Sequence, residues 1–367
     1  MRLAYHGQAS GLSRGVPIAM IRCMMLGCGA RAREHMEAYR TIDTMKMVAV
    51  CDVLPERVQA FKDDFGVPEG YTDLAEALAK VKPDVVHVGT QPGTRIWEAE
   101  TCAAGGVKAM VVEKPMAIKP SELAALTRVH EETGMEIIQN CQRRYYPQFR
   151  DGLIQQIANE KIGDLYFVRA STRGNTIAMG PHMMDLLQLF LGEAQPTAVW
   201  AMAHTITEDD GYQHTHQAPE SLMAQYWFDV QGREVRVVFD CSPDALGTPG
   251  EEGFWMHLHF DFLGTSGRLF LTQNKGYWWQ AEGMAEPERG DSSWDEQESA
   301  GQRDFTLAVG RWLEEGVPHL NRFAVSRAVI AALLGAQKSV YEGGKVSLPT
   351  EFTDEEWAAL RARLKGA

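Results

Sequence analysis

The stretch GCGARA, Gly27 to Ala32, constrains this chain more than any other. It follows the apolar run IRCMML and opens the helical text AREHMEAYRTI. A G-x-G-x-x-A between a strand and a helix is a turn on which a dinucleotide pyrophosphate can rest. Gly27 permits the tight turn, Gly29 lets the backbone approach the phosphates, and Ala32 allows close packing of helix on strand. Ala30 begins the helix between them. Asp52 ends the next apolar run, MKMVAVCD, where a carboxylate can accept hydrogen bonds from an adenosine ribose. A negative charge there repels the additional phosphate of NADP, so NAD is the expected cofactor and NADP is disfavoured, although Arg57 stands a turn later.

The rest of the chain divides by texture. From Ile21 to Cys141, near-continuous apolar runs such as MKMVAVC, DVVHV and AMVV alternate with helical stretches of ten to fifteen residues. That alternation predicts an α/β Rossmann domain, a doubly wound parallel sheet covered on both faces, over residues 21–141. Beyond it, longer runs with period-two alternation (PTAVWAMAH, SLMAQYWFDV, REVRVVFDC, GRLFLTQN, GYWWQA) predict an α+β domain over 142–349. Its sheet is expected to be large, open and mostly antiparallel, with one face buried against helices. The other face carries bulky aromatics and is expected to be covered by another copy of the chain, as a homodimer or homotetramer. Residues 350–367 read as a terminal helix, and residues 1–20 as a loose leader. Polar segments at 207–220, 242–253 and 281–302 read as loops.

Composition narrows the partners. A formal net charge of −13 disfavours nucleic acid and anionic membranes, which need clustered Lys and Arg, and favours a small-molecule ligand. The six cysteines contain no C-x-x-C and several lie in apolar runs, which predicts reduced, buried thiols in a cytoplasmic protein. No run of eighteen apolar residues is present, so no membrane span is expected.

Glu113-Lys114-Pro115, in VVEKPMAI at the end of a later strand, together with GCGARA resembles the glucose-fructose oxidoreductase and inositol dehydrogenase family (Gfo/Idh/MocA). The similarity runs from Ile21 to about Pro349. GTQPGTR, with Thr90 and Pro92, looks like the family's nicotinamide-side loop, and GPHMMDLLQLFLG like its G-x-H-x-x-D helix. The resemblance implies oxidation or reduction of a secondary hydroxyl or ketone on a sugar, inositol or related cyclic polyol. It also implies that Lys114 and His182 contact the reacting hydroxyl, that Glu113 and Lys114 lie at the cofactor, and that the bond before Pro115 is cis. The chemistry agrees, since hydride can leave an alcohol carbon only as a base takes the hydroxyl proton. Asp185, three residues after His182, is expected to orient the histidine or bind substrate. Arg143, Arg144, Tyr145, Arg173 and Asn175 are candidate substrate-binding residues suited to hydroxyl, carboxylate or phosphate groups.

A metal reading is weaker. His182 and Asp185 supply two ligands at best, and the pairs His214/His216 and His257/His259 have no spacing that brings them to the helix. Many dehydrogenases of the family carry an aspartate four positions before the histidine, where this chain has Ala178. Two further readings follow: an NAD-using glycoside-cleaving enzyme that oxidises transiently and returns the hydride, or a non-catalytic cofactor-binding homologue.

Overall fold

The computed structural model describes residues 20–206, 219, 221–245 and 257–365. The N-terminal leader, His214 and His216 lie outside these residues, as do most of the segments 207–220 and 242–253.

The first half alternates strand and helix: β1 (Ile21–Leu26), α1 (Ala30–Tyr39), β2 (Met45–Cys51), α2 (Pro55–Phe65), β3 (Glu69–Tyr71), α3 (Leu74–Val81), β4 (Val85–Val88), α4 (Arg95–Ala104), β5 (Ala109–Val112), α5 (Pro120–Thr133) and β6 (Glu136–Gln139). The strands pair in parallel in the order β3-β2-β1-β4-β5-β6. All of β4 and β5 is buried because helices cover both faces, which is why these strands read as unbroken apolar runs. Local signals set the helix ends. Asp73 accepts from the Glu76 N–H to start α3, and α2 and α5 stop at Gly66 and Gly134, both at positive φ. The strand order reverses between β1 and β4, and the loops after β1, β4 and β5 converge at that switch point.

The second half contains the short helices α6 (Pro147–Arg150) and α7 (Leu153–Gln156), then β7 (Leu165–Thr172), α8 (Gly180–Phe190), β8 (Pro196–His204), β9 (Ser221–Val230), β10 (Arg233–Cys241), β11 (Leu258–Gly264), β12 (Gly267–Thr272), β13 (Gly276–Ala281) and β14 (Glu288–Gly290). The chain ends with α9 (Trp294–Glu315), α10 (Phe323–Glu342), β15 (Val346–Ser347) and α11 (Asp354–Lys365). Among the described residues its sheet has nine strands in the order β14-β13-β12-β11-β7-β10-β9-β8-β15, and of these pairs only β7–β10 is parallel. Alternate residues face a core of Phe190, Tyr226, Phe239, Phe260 and Phe262, closed by α8 and α10. The opposite face leaves Trp200, Met202 and Met223 about half exposed, with Met202 and Met223 paired across β8 and β9.

Two features depart from the sequence reading. The acidic text 281–302 is not one loop, because β14 and the first turns of α9 occupy it, with Ser293 capping α9 by accepting from the Glu296 N–H. Moreover, α9 leaves its own sheet and buries Phe305 and Val309 beside Ile21, Met25 and Met45 of the first half. Helix α10 is long and apolar enough to cross a membrane, but Phe323, Ile330 and Leu334 pack into the first core and Val329, Leu333 and Ala336 into the second. An apolar helix shared between two cores needs no lipid.

Candidate active site

The loop after β1 forms the cofactor end. Gly27 adopts φ 85°, a left-handed conformation, and a Cβ there would sit 2.9 Å from Thr90 Cγ2. Its N–H donates to the Cys51 carbonyl, tying the turn to β2. Gly29 precedes α1, and a Cβ added to it would meet nothing within 4 Å. That open room lies where the first N–H groups of α1, from Ala30 onward, lack intrahelical partners, so it suits a pyrophosphate. Ala32 is fully buried, and a Cβ on Gly89 would lie 3.2 Å from its own, so both small residues are needed for α1 to approach β4. Asp52 accepts from the Cys28 N–H at 2.7 Å and the Leu54 N–H at 2.9 Å. Each carboxylate oxygen keeps a lone pair for a ribose hydroxyl, and Asp52 also fixes the glycine turn. Thr90 donates to Glu98 and its carbonyl accepts from Arg95, while Pro92 starts the short turn into α4. This donor set fits NAD.

The loop after β5 carries Glu113 and Lys114, and the Lys114–Pro115 bond is cis. Glu113 Oε1 accepts from Asn140 at 2.6 Å and lies 2.8 Å from His35 Nε2, while Arg31 stands 3.6 Å from its other oxygen. Burial alone would raise this carboxyl, but Arg31, His35 and Asn140 together hold it well below the usual carboxylate range. Lys114 Nζ donates to the Ala178 carbonyl at 2.8 Å. Burial lowers the ammonium to about 8, with Arg31 and Arg143 adding to the shift and Glu113 opposing it.

The turn before α8 brings the remaining groups. Asn175 Oδ1 accepts from the Ala178 N–H, so this side chain shapes the turn that offers its carbonyl to Lys114. His182, 3% exposed, lies in the first turn of α8, and its Nδ1 has no partner among the described residues. Burial first, then Arg143, Lys114 and Arg31, push it well below the ordinary histidine value, so the ring is neutral. A buried neutral imidazole nitrogen without a partner beside a depressed lysine is equipped to meet a hydroxyl group.

Three expectations are corrected. Asp185 does not orient His182, because its Oδ1 accepts from Arg144 Nε at 2.8 Å and Asn321 Nδ2 at 3.1 Å, and no hydrogen bond joins it to the imidazole. Burial raises its carboxyl to about 6 despite Arg144. Arg144 is fully buried and divides its donors among Asp185, the Asp185 carbonyl and Glu193, leaving it structural rather than substrate-facing. Tyr145 packs against Phe305 and His319 and accepts from the Leu320 N–H, which places it in the core under α9. Arg143 lies close enough to Lys114 and His182 to act on both. Arg173 donates to the Ala245 carbonyl at the edge of the site. Among the described residues no three His, Cys, Asp or Glu side chains are arranged to hold a metal, and His257 and His259 lie buried at the start of β11, where His259 stands edge-on to Phe270.

The sequence reading missed Arg31, His35, His87 and Asn140. Histidines interrupting apolar periodicity, in AREHMEAY and DVVHV, were the available signal.

Residues 21–140 match the Gfo/Idh/MocA oxidoreductase family, NAD-binding Rossmann fold. That match covers about a third of the chain and is to the family's NAD-binding domain. Among individual proteins, it is 26% identical over 185 residues to a D-apiose dehydrogenase of Paraburkholderia graminis, covering 46% of this chain and 49% of that one. It is 25% identical over 202 residues to an inositol 2-dehydrogenase of Rhizobium meliloti, covering 51% and 60%. The matched stretch thus spans about half the length of these relatives. The whole fold is shared more widely. An Agrobacterium radiobacter oxidoreductase solved with NAD+, L-tartaric acid and magnesium superposes over 90% of this chain and 98% of its own, with TM-score 0.73 at 20% identity. A levoglucosan dehydrogenase complexed with NADH and L-sorbose covers 90% and 99%, with TM-score 0.76 at 14% identity.

Proposed function

We propose that this chain is an NAD-dependent oxidoreductase acting on a secondary hydroxyl of a sugar, inositol or related cyclic polyol. The observation that carries the reading is the meeting of Lys114, lowered to about 8, with His182 and its bare Nδ1 across the Ala178 turn, at the carboxyl end of the parallel sheet. Gly27, Gly29, Ala30, Ala32, Asp52, Thr90, Pro92 and Glu113 hold the cofactor. Bound there, NAD supplies the hydride acceptor. Lys114 takes the hydroxyl proton at Nζ, and the Ala178 carbonyl fixes that nitrogen without adding a charge. His182 orients the hydroxyl through Nδ1, while Arg143, Arg173 and Asn175 border the substrate. The names of the relatives, which include apiose, inositol and D-glucoside dehydrogenases, support the substrate class. The half-exposed Trp200, Met202 and Met223 support assembly as a dimer or tetramer through the open sheet face.

The test mixes the purified protein with NAD and a panel of free sugars, inositols and simple glycosides and follows reduced-nicotinamide absorbance. Net reduction by a polyol, lost in Lys114→Ala with NAD binding retained, is the expected outcome. Released aglycone without net reduction would replace this reading with internal hydride return. Wild-type turnover in Lys114→Ala would remove the role given to the lysine.

A further inference from the structure

A second set of titratable groups lies buried beneath the site and takes no part in the chemistry above. His35 of α1 is 1% exposed and His87 of β4 fully buried, and their Nδ1 atoms are 3.1 Å apart. His87 Nε2 lies 2.7 Å from the Tyr39 hydroxyl, and His35 Nε2 lies 2.8 Å from Glu113 Oε1. The rings meet edge to face, as do His87 and Tyr39. Four side chains, two from α1 and one each from β4 and the end of β5, thus form one unbroken line from Tyr39 to the residue beside Lys114.

We propose that His35 and His87 are positioning residues of the reaction centre: the chain that starts at Tyr39 delivers one N–H to Glu113 and keeps its carboxylate anionic and fixed beside Lys114. This rests on Lys114 being the base of the proposed reaction. The polarity of the chain leaves little freedom. Glu113 as an anion only accepts, so His35 Nε2 must carry a proton. With His35 neutral, its Nδ1 accepts from His87 Nδ1–H, and the bare His87 Nε2 then accepts from the Tyr39 hydroxyl. With His35 charged, every link reverses except the one to Glu113. Both states present the same N–H to the carboxylate.

The groups facing this pair agree. Asn140, the second donor to Glu113, is 3.2 Å from Gln302 of α9, so the carboxylate is held from three directions with Arg31. Around Lys114 the other charged or titratable neighbours are Arg31, Arg143, Cys141 and His182, and Arg31 in turn faces Glu34 and Glu298. Among the groups acting directly on the amine, Glu113 is the principal anion. Its position therefore sets how far burial and the two arginines depress the lysine.

The experiment labels lysine side chains with 13C at Cε and follows the titration of Lys114, assigned by its absence in Lys114→Arg. It uses the full chain with and without NAD, and no substrate. A protein that proves not to be a dehydrogenase would still give this readout, so the two proposals fail separately. Glu113→Gln is expected to lower the Lys114 midpoint on the order of one pH unit. His35→Leu is expected to shift it in the same direction, and His35→Gln, which can keep an N–H toward Glu113, to restore it. In the Glu113→Gln background His35→Leu should cause no further change, whereas a merely structural histidine would shift the lysine in both backgrounds. A Lys114 midpoint unmoved by His35→Leu in a folded protein, or an equal shift with and without Glu113, overturns the proposal.

Discussion

Replacing Ala178 by aspartate would test the electrostatic account of the site most directly. Lys114 Nζ already donates to the main-chain carbonyl of residue 178 at 2.8 Å, so a carboxylate on this residue would stand ~5 Å from the amine. At an effective dielectric near 20, an opposite charge at that separation is worth roughly 3 kcal/mol, or about 2 pH units. Residue 178 is only partly buried, and solvent screening reduces the expected shift to about 1 to 1.5 units. The direction is fixed, because a nearby anion favours the ammonium form and must raise the lysine from about 8. At about pH 7.5 the unprotonated fraction would then fall roughly eight- to twenty-five-fold. The assay is the pH profile of kcat/KM for NAD reduction with whichever polyol the panel identifies. Its acid limb should move to higher pH in Ala178→Asp and stay in place in the isosteric, neutral Ala178→Asn. An acid limb that stays put in the aspartate variant, or moves to lower pH, would refute both the assignment of Lys114 as base and the reasoning about its neighbours.

Gly29→Val places a branched side chain in the room above α1 that none of the described residues fills, so NAD affinity measured by fluorescence titration should fall at least ten-fold while the thermal midpoint changes little. Arg144→Met leaves the buried Asp185 without its cation and should cost about 3–5 kcal/mol in urea unfolding, whereas a substrate-binding arginine would change KM instead. Met223→Glu puts a charge on the open sheet face and should convert the proposed dimer or tetramer to a smaller species in sedimentation velocity without loss of fold. Lys114→Met should abolish turnover yet raise stability by about 1–2 kcal/mol at neutral pH. The folded lysine at about 8 binds fewer protons than an unfolded lysine near 10.5, so wild-type stability rises with pH between those values, and melts near pH 10 should show the advantage of the variant disappearing.

The fold was legible wherever local pattern and burial coincide. The parallel sheet appears as unbroken apolar runs because both its faces are covered, and the second sheet as alternation because one face is not. The start of α9 was not legible, since its first turns are acidic and solvent-facing and its apolar residues serve a distant core. The convergence of Lys114, the turn before His182 and the glycine loop at one end of the parallel sheet follows from features visible in the sequence, while the roles of these residues stay part of the proposed function. Asp185 and Arg144 misled for a physical reason: helical spacing puts His182 and Asp185 on neighbouring turns, but only the tertiary fold shows that Arg144 and Asn321 occupy the carboxylate. The Tyr39–His87–His35 line could not be assembled from sequence, because its members are separated by up to 52 positions and meet only across the helix and sheet.

Residue 178 is an alanine rather than the aspartate the family resemblance would place there, and Lys114 is nevertheless held. A carboxylate there would both hold the lysine in place and raise its proton affinity, and the structure separates these two effects. Position is supplied by the Ala178 carbonyl, which carries a dipole but no net charge. The two segments that meet in this bond are braced from behind, where Ile118 after the cis proline and Ile177 beside Ala178 pack together against Trp357 of α11, with Phe352 alongside. Apolar packing thus does what an ion pair would otherwise do. Proton affinity is left to burial, two arginines and a single adjacent carboxylate, which together bring Lys114 to about 8, where roughly a tenth of the amine is free at pH 7. With His182 neutral under the same cations, the proposed reaction has two nitrogen acceptors for one hydroxyl, the free Lys114 amine and His182 Nδ1.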